Sequence, residues 1–332
     1  MLRSSEQILI SRLACKCTFS DFFRTELNFN LADYRNSFFT SNDPNKIIDF
    51  YYGFEDRDEL IQWMKERPKG VANIYEIEGD RDIVVVIPTA DFSGDYAKEC
   101  RENIFKGLHM VFVESGGKED FYFNYAHNCN MGIKKAMEYN PKWIVISNDD
   151  MIYHSSSLFL LSELNDIDNT KIDCVFAKPT SYHSYLTFIA RIRPQYLVRL
   201  MVSKNKDYGK LLKKFSVKYN ASPKRQRIFD ELYQILYFKR LHGLYQIGSF
   251  GIISGFYLQS IKDNLFDETF INYYEDLDVS LRFFRSPQRI AFINYLIEDI
   301  IGGTIGKGYL RMLRSFASLV YLNNKLKFKN RV

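Results

Sequence analysis

The sequence predicts an α/β fold in which helices flank a mostly parallel central sheet. Short runs of β-branched and aromatic residues alternate with amphipathic helical segments between residues 82 and 177. Strands separated by single helices form βαβ units, and these units build parallel sheets. The chain has 332 residues, 46% of them apolar, which is enough to bury the core of one large domain with additions.

The elements follow one another from residue 56 onward. A helix is predicted at 56–66, where Pro68 and Gly70 end it. The predicted strands lie at 83–88, 109–113, 143–146, 174–177 and 289–293, and two of the intervening helices at 95–105 and 121–139. The first strand, IVVVIP, is typical of a buried central strand.

The composition divides the chain into four regions. Residues 1–80 form an N-terminal accessory region, 81–305 the main domain, 186–245 a basic helical insert within it, and 306–332 a basic amphipathic C-terminal helix. The insert holds fourteen Lys or Arg and three Asp or Glu, whereas the whole chain has a net charge of only +5. The mild overall charge therefore hides an uneven distribution.

The cysteines and the apolar runs indicate the cellular location of the protein. The five cysteines are an odd number and scattered, so no disulfide framework uses them all. The N-terminus lacks the apolar region of a secretory signal, and no run of about 18 apolar residues is present. We expect a cytoplasmic protein, with contact to the inner face of the membrane through its basic segments.

Three motifs carry candidate chemistry. Asn148-Asp149-Asp150 follows a predicted strand, and such carboxylates hold Mg²⁺ or Mn²⁺ or else form a solvated turn. Glu275-Asp276-Leu277-Asp278, with Arg282, begins either a catalytic helix or a well-capped surface helix. Asn130 falls on the apolar face of its helix, where it bonds the ends of neighbouring strands or shapes a nucleotide pocket. Because ligands of parallel sheets bind at the carboxyl ends of strands, residues 89–91, 114–117 and 148–150 are predicted to share one rim.

Together these motifs resemble family 2 glycosyltransferases of the GT-A fold, with a Rossmann-like sheet, over residues 82–305. The resemblance implies donor-binding positions for a nucleotide-diphosphate sugar, a metal ligand, a general base and an acceptor side. The donor positions are Pro88, Thr89, Asp91, Glu114, Gly116, Asn130, Asn148 and Asp149; the metal ligand is Asp150; the base is Asp276; and the acceptor-side residues are Gly248, Ser249, Glu275, Asp278 and Arg282. The implied reaction is inverting transfer of the sugar to a hydroxyl of a glycan, a lipid-linked or a protein acceptor.

The sequence departs from the family pattern in three places. Glu114 stands where Asp is commoner, and Asn148 takes the first place of the Asp-x-Asp motif. A His that many members place near the end of the domain is absent, so either Asp299 replaces it as a metal ligand or the metal has one firm protein ligand.

Two other functions fit the sequence. One is a sugar nucleotidyltransferase, although the glycine-rich basic signature of that class is missing after the first strand. The other is a non-catalytic protein whose basic insert binds an anionic surface. An anionic membrane fits a basic helical insert better than nucleic acid does.

Overall fold

The computed structural model describes residues 38–117, 120–177, 182–183, 244–245, 249–283, 286–299 and 309–329. Apart from its last two residues, the predicted basic insert lies outside these ranges, and so does Gly248.

The strands occupy the five predicted positions and several others that the apolar runs did not predict. They are β1 (Asn73–Ile77), β2 (Asp80–Thr89), β3 (Leu108–Glu114), β4 (Trp143–Ser147), β5 (Met151–Tyr153), β6 (Cys174–Ala177), β7 (Tyr182–His183), β8 (Leu244–Tyr245), β9 (Phe250–Ser254), β10 (Ile290–Ile293) and β11 (Ile297–Asp299). Seven of them form one sheet in the order β1-β3-β2-β4-β9-β6-β10, while β5 pairs with β11 and β7 with β8. Strand β1 belongs to this sheet although it comes from the predicted N-terminal region.

The sheet is mixed, which corrects the prediction of a mostly parallel sheet. Strand β2 lies between β3 and β4 and is parallel to both, and β6 is parallel to β10. In contrast, β9 runs antiparallel to β4 and β6, and β1 antiparallel to β3. The run Phe250–Ser254 is almost wholly buried, and such a run suits a central strand of either direction, so its sequence gave no sign of the reversal.

The helices are α1 (Pro44–Tyr52), α2 (Arg57–Glu66), α3 (Asp95–Glu99), α4 (Tyr125–Ala136), α5 (Ser157–Asn165), α6 (Gly255–Ser260), α7 (Glu275–Phe283) and α8 (Tyr309–Lys329). Helix α2 begins as predicted, because Asp56 Oδ1 accepts the N–H groups of Asp58 and Glu59. Helix α4 begins four residues later than predicted, because Asn124 caps it by accepting the N–H of His127 at 2.9 Å.

Two apolar cores cover the faces of the sheet. Successive residues of β2 point to opposite faces, so Val85 packs toward α5 whereas Val86 packs toward α4. On the second face α4 approaches the sheet at Gly132, where a Cβ atom would lie 2.3 Å from Cγ1 of Val86. Glycine is therefore required for this helix to reach the strands.

A third core joins the N-terminal helices to the C-terminal helix. Helix α8 packs against α1 and α2, and its Leu313 and Val320 are buried there. The hydroxyl of Tyr51 in α1 donates a hydrogen bond of 2.5 Å to the carbonyl of Leu313. The apolar face of the predicted amphipathic helix is thus covered by protein, and membrane contact through the basic insert stays a prediction.

Within the described ranges, no helix has both the length and the apolar character needed to cross a membrane.

Candidate functional site

Five predicted residues meet at the carboxyl ends of β2, β3 and β4, and we call this edge the strand rim. It consists of Thr89, Glu114, Asn148, Asp149 and Asp150. Thr89 and Glu114 are direct partners in the register of β2 and β3. The Thr89 hydroxyl donates a hydrogen bond of 2.6 Å to Oδ2 of Asp149, which follows β4. Parallel register therefore brings three separate loops together, as the sequence predicts.

The two aspartates of the rim are buried side by side. Asp149 is 7% exposed and Asp150 is 5% exposed. Burial raises the pKa of Asp149, while hydrogen bonds from Thr89 and from two backbone amides oppose that shift. These three donors are neutral, so among the described residues the hydrogen-bond partners of Asp149 carry no positive charge.

Pro88 and Asp91 flank the rim on the β2 side. Pro88 is the register partner of Val113 within the sheet. Asp91 lies just beyond the strand, where its Oδ1 accepts the N–H of Ser93 at 2.9 Å and its carbonyl accepts the Thr89 hydroxyl at 3.2 Å. The exposed carboxylate of Asp91 therefore belongs to a turn beside the rim rather than to its buried part.

Aromatic rings surround the Glu114 end of the rim. Oε2 of Glu114 accepts the N–H of Phe92 at 2.7 Å. The Phe92 ring stacks on Tyr75, with centroids 4.4 Å apart and an interplanar angle of 9°, and the Arg101 guanidinium covers Phe92 at 4.4 Å. Gly116 follows at the surface of the next turn. This end offers an acceptor carboxylate beside exposed aromatic surface.

The chemistry of Asp149 and Asp150 fits a hard divalent cation. Carboxylate oxygens are the ligands of Mg²⁺, which is commonly held by one or two carboxylates together with substrate phosphates and water. The β5–β11 ribbon pairs Asp299 with Met151, so the backbone of Asp299 lies beside the residue that follows Asp150. Across the part of the chain that the structure describes, no three His, Cys, Asp or Glu side chains are grouped as a complete metal site. Phosphates of a substrate are ligands that could complete the coordination of a metal here.

A second acidic group stands at the start of α7. Glu275 is buried and Asp276 is half-buried, both in the first helical turn. Tyr125 contacts the strand rim, because its hydroxyl donates a hydrogen bond of 2.9 Å to Oδ1 of Asn148. Burial raises the pKa of Tyr125, and Cys129, Glu275 and Asp276 raise it further. The acidic start of α7 is therefore close to the Tyr125 ring.

An irregular turn places the start of α7. Asn272 and Tyr274 have φ angles of 56° and 68°, a left-handed conformation that is uncommon outside glycine. Oδ1 of Asn272 accepts the N–H of Tyr125 at 2.7 Å. From α8, the Ser318 hydroxyl accepts the N–H of Ile271 at 3.0 Å. Contacts from two distant helices therefore hold the turn in place.

Asn130 is turned away from the strand rim. Its Nδ2 donates to the carbonyl of Phe266 and to Oε1 of Glu268, both at 2.9 Å, and its Oδ1 accepts the N–H of Phe266 at 3.0 Å. All its described contacts go to the turn at 266–268. The structure therefore gives Asn130 a bracing role in a turn, not at strand ends and not among the rim residues.

Asp278 and Arg282 also point into the fold. Lys325 of α8 donates to Oδ2 of Asp278 at 2.7 Å and to Oδ2 of Asp267 at 2.6 Å. Arg282 donates to the carbonyl of Leu265, and its guanidinium lies 3.9 Å from Asp278. These two predicted acceptor-side residues fix α7 to its surroundings, whereas Glu275 and Asp276 adjoin Tyr125.

Ser249 contacts the rim through its backbone. Its carbonyl accepts the N–H of Asn148 at 2.8 Å, at the point where β9 meets β4. Gly248, the other predicted residue of this pair, lies outside the described residues.

Sequence reasoning missed three residues that organise the site: Tyr125, Asn272 and Lys325. Asn272 had a usable signal, since asparagine is enriched in left-handed conformations and directly precedes the Tyr-Tyr-Glu-Asp run. Tyr125 and Lys325 had none, because their partners are distant in sequence.

Neither a family model nor a curated protein matches this sequence. The resemblance to family 2 glycosyltransferases therefore depends on the motifs and on the geometry described above.

Proposed function

We propose that this protein is an inverting glycosyltransferase of the GT-A type that moves a sugar from a nucleotide-diphosphate sugar to an acceptor hydroxyl. One observation carries the proposal: two acidic groups lie near Tyr125, whose hydroxyl bonds Asn148 beside one of them and whose pKa is raised by burial and by the other. The buried pair Asp149–Asp150 ends β4, and the pair Glu275–Asp276 begins α7. Transfer of this kind needs one charged group at the donor diphosphate and another at the attacking hydroxyl.

Asp276 is the proposed general base. As the acceptor oxygen bonds to the anomeric carbon, its proton passes to the Asp276 carboxylate, and the bond from the anomeric carbon to the phosphate oxygen breaks. The electron pair leaves with the nucleoside diphosphate. Attack from the face opposite the leaving group inverts the anomeric carbon. Asp276 is half-buried, so its carboxylate has access to a substrate.

The strand rim is the proposed donor site. Glu114 offers an acceptor for base or ribose groups, with the exposed ring of Tyr75 beside it. Thr89 holds Asp149 in place, and Asp149 is expected to contact the ribose or the sugar. Asp91 and Gly116 flank this surface.

Asp150, beside Asp149, is the proposed ligand for Mg²⁺ or Mn²⁺. When bound, such a cation supplies positive charge to the leaving diphosphate. Without it, the anionic donor would face two buried carboxylates that carry the same charge.

A panel of nucleotide sugars tests the function. Each is incubated with the full chain and a simple acceptor such as water or a glycoside, with Mn²⁺ or with a chelator. We expect one donor to release free nucleoside diphosphate in the presence of Mn²⁺ only. Release of pyrophosphate from a sugar phosphate and a nucleoside triphosphate would support a nucleotidyltransferase instead. If no donor binds or reacts, the proposal is wrong, and binding of the chain to anionic vesicles or to nucleic acid would then favour a non-catalytic role.

A further inference from the structure

We infer that Tyr125 is a positioning residue that fixes the separation between the strand rim and Asp276. This inference rests on the proposed function for its catalytic consequence. Its structural basis stands by itself, because it consists of two hydrogen bonds from one residue to opposite sides of the site.

Tyr125 bonds at both of its ends. Its backbone N–H donates to Oδ1 of Asn272 at 2.7 Å, and its hydroxyl donates to Oδ1 of Asn148 at 2.9 Å. Asn148 directly precedes Asp149, and Asn272 lies three residues before Glu275. One residue therefore bonds, through its backbone and its side chain, to a near neighbour of each acidic group.

Both hydrogen-bond partners of Tyr125 are themselves hydrogen-bonded to other elements. The N–H of Asn148 donates to the Ser249 carbonyl at 2.8 Å, which ties it to β9. Nδ2 of Asn272 donates to the carbonyl of Phe123 at 3.2 Å, and Asn272 is itself 4% exposed. Because the backbone of Asn148 and the side chain of Asn272 are both tied to neighbouring elements, displacement of one side of the site is transmitted to the other through Tyr125.

The ring of Tyr125 lies where two hydrophobic cores meet. It packs against the core formed by α1, α2 and α8, and also against the core between α4, α7 and the sheet. Its ring makes an edge contact with Phe266, with centroids 6.4 Å apart. Packing thus restricts the ring, and the hydroxyl is directed by the fold rather than by a substrate.

The Tyr125 hydroxyl is a donor and not a second base. Burial and nearby acidic groups, Cys129 among them, raise its pKa well above the ordinary value, so it stays protonated beside Glu275 and Asp276. A neutral hydroxyl that donates to an amide oxygen can position groups without exchanging protons with them.

The variant Tyr125→Phe removes the hydroxyl and keeps the ring and the backbone N–H. With the donor found in the panel, we expect kcat to fall about tenfold or more, because small misplacements of reacting groups cost one to two orders of magnitude, while KM for the donor changes less than about twofold. Tyr139→Phe is the matched control. Tyr139 follows the other end of α4, and the hydroxyl that this variant removes contacts Glu76 of β1. The control should leave kcat unchanged.

A second pair of variants tests the other end. Asn272→Gly keeps the left-handed backbone but loses both side-chain hydrogen bonds, whereas Asn272→Ala also strains the backbone. Both should lower kcat, and the alanine variant more than the glycine variant. Equal kcat in Asn272→Gly and the unaltered protein would show that this bond positions nothing.

Amide hydrogen exchange provides a measurement that does not depend on activity. In Tyr125→Phe, amides of residues 146–150 and 275–279 should exchange about fivefold faster, which corresponds to the loss of one hydrogen bond. Tyr139→Phe should change neither segment. Unchanged exchange in both segments overturns the inference, and so does faster exchange with normal kcat. If the unaltered protein transfers no sugar, the proposed function fails, while the exchange result still decides whether Tyr125 couples the two sides.

Discussion

The two sides of the candidate site are built in different ways. The strand rim is made by register: Thr89 and Glu114 face each other because β2 and β3 are parallel, and Asp149 joins them from β4. The acidic start of α7 depends instead on an irregular turn tied down from α4 and α8. A sheet edge gathers side chains through backbone pairing alone, whereas the turn needs a particular side chain at each point of attachment. We therefore expect the α7 side to be more sensitive to single substitutions.

The largest expected effect is at the α7 side. Asp276→Asn keeps the shape of the side chain but removes its capacity to accept a proton, so turnover should fall about a thousandfold. Affinity for the donor should stay within about twofold, as measured by titration calorimetry. If Asp276→Asn retained most of its turnover, another group would have to be the base.

The next effect concerns the attachment of α7 to α8. Lys325→Met leaves Asp278, whose side chain is 3% exposed, without its closest cation. Breaking a buried ion pair from one side costs about 3 kcal/mol of unfolding free energy, measured by urea denaturation. Lys171→Met removes an ion pair on the surface, with Asp168, and should cost less than about 1 kcal/mol. Equal losses in both variants would contradict the buried role of Lys325.

On the strand rim, Asp150→Ala should weaken donor binding in the presence of Mn²⁺. The expected loss is about thirtyfold, comparable to the loss of a contact with a charged group. In a chelator the same variant should bind donor no worse than the unaltered protein. Asp168→Ala, on the surface, serves as the control, and an equal loss without metal would rule out Asp150 as a metal ligand.

Helix α4 supports both sides, and its contact with the sheet can be tested at Gly132. In Gly132→Ala the new Cβ would clash with Val86 at 2.3 Å, so the free energy of unfolding should fall by about 2 kcal/mol. Gly116→Ala, whose Cβ would be 3.4 Å from its nearest neighbour, should change stability by less than about 0.5 kcal/mol. A neutral Gly132→Ala would mean that α4 packs less closely than described.

The last prediction concerns the dependence of stability on acid, which changes only at low pH. Burial raises the pKa of Asp267, but Lys325 and the Tyr321 hydroxyl outweigh burial and bring that pKa to about 2. Because this folded pKa is lower than the unfolded value of about 3.9, the contribution is complete above pH 4 and is lost as the pH falls from 4 to 2. It amounts to about 2.5 kcal/mol. Lys325→Met should remove most of this dependence in denaturation curves measured between pH 2 and 5.

The sequence was informative wherever the local structure follows from hydrophobic periodicity. The apolar runs predict β2, β3 and β4, and the rule for parallel strands predicts the strand rim from them. It was uninformative about the direction of strand β9, because a strand that is buried on both faces has the same sequence pattern in parallel and antiparallel pairing. Side-chain orientation was equally hidden: Asn130 was predicted to bind the donor with the rim residues, and Asp278 shares a motif with Asp276, yet both bond inward to segments far along the chain. Only the tertiary contacts separate bracing residues from those near Tyr125.

The short β7–β8 ribbon offers a place where the basic residues between its two strands can be removed from the rest of the chain. Tyr182 pairs with Tyr245 and His183 with Leu244, and α7 contacts β8. Antiparallel partners lie about 5 Å apart, so a two-residue Asn-Gly turn could join His183 to Leu244 directly. Replacing residues 184–243 in this way removes fourteen basic and three acidic residues from a chain of net charge +5, and leaves a body of net charge −6. Such a shortened protein would carry a net negative charge, so the contribution of the basic residues to binding an anionic ligand can be measured against it.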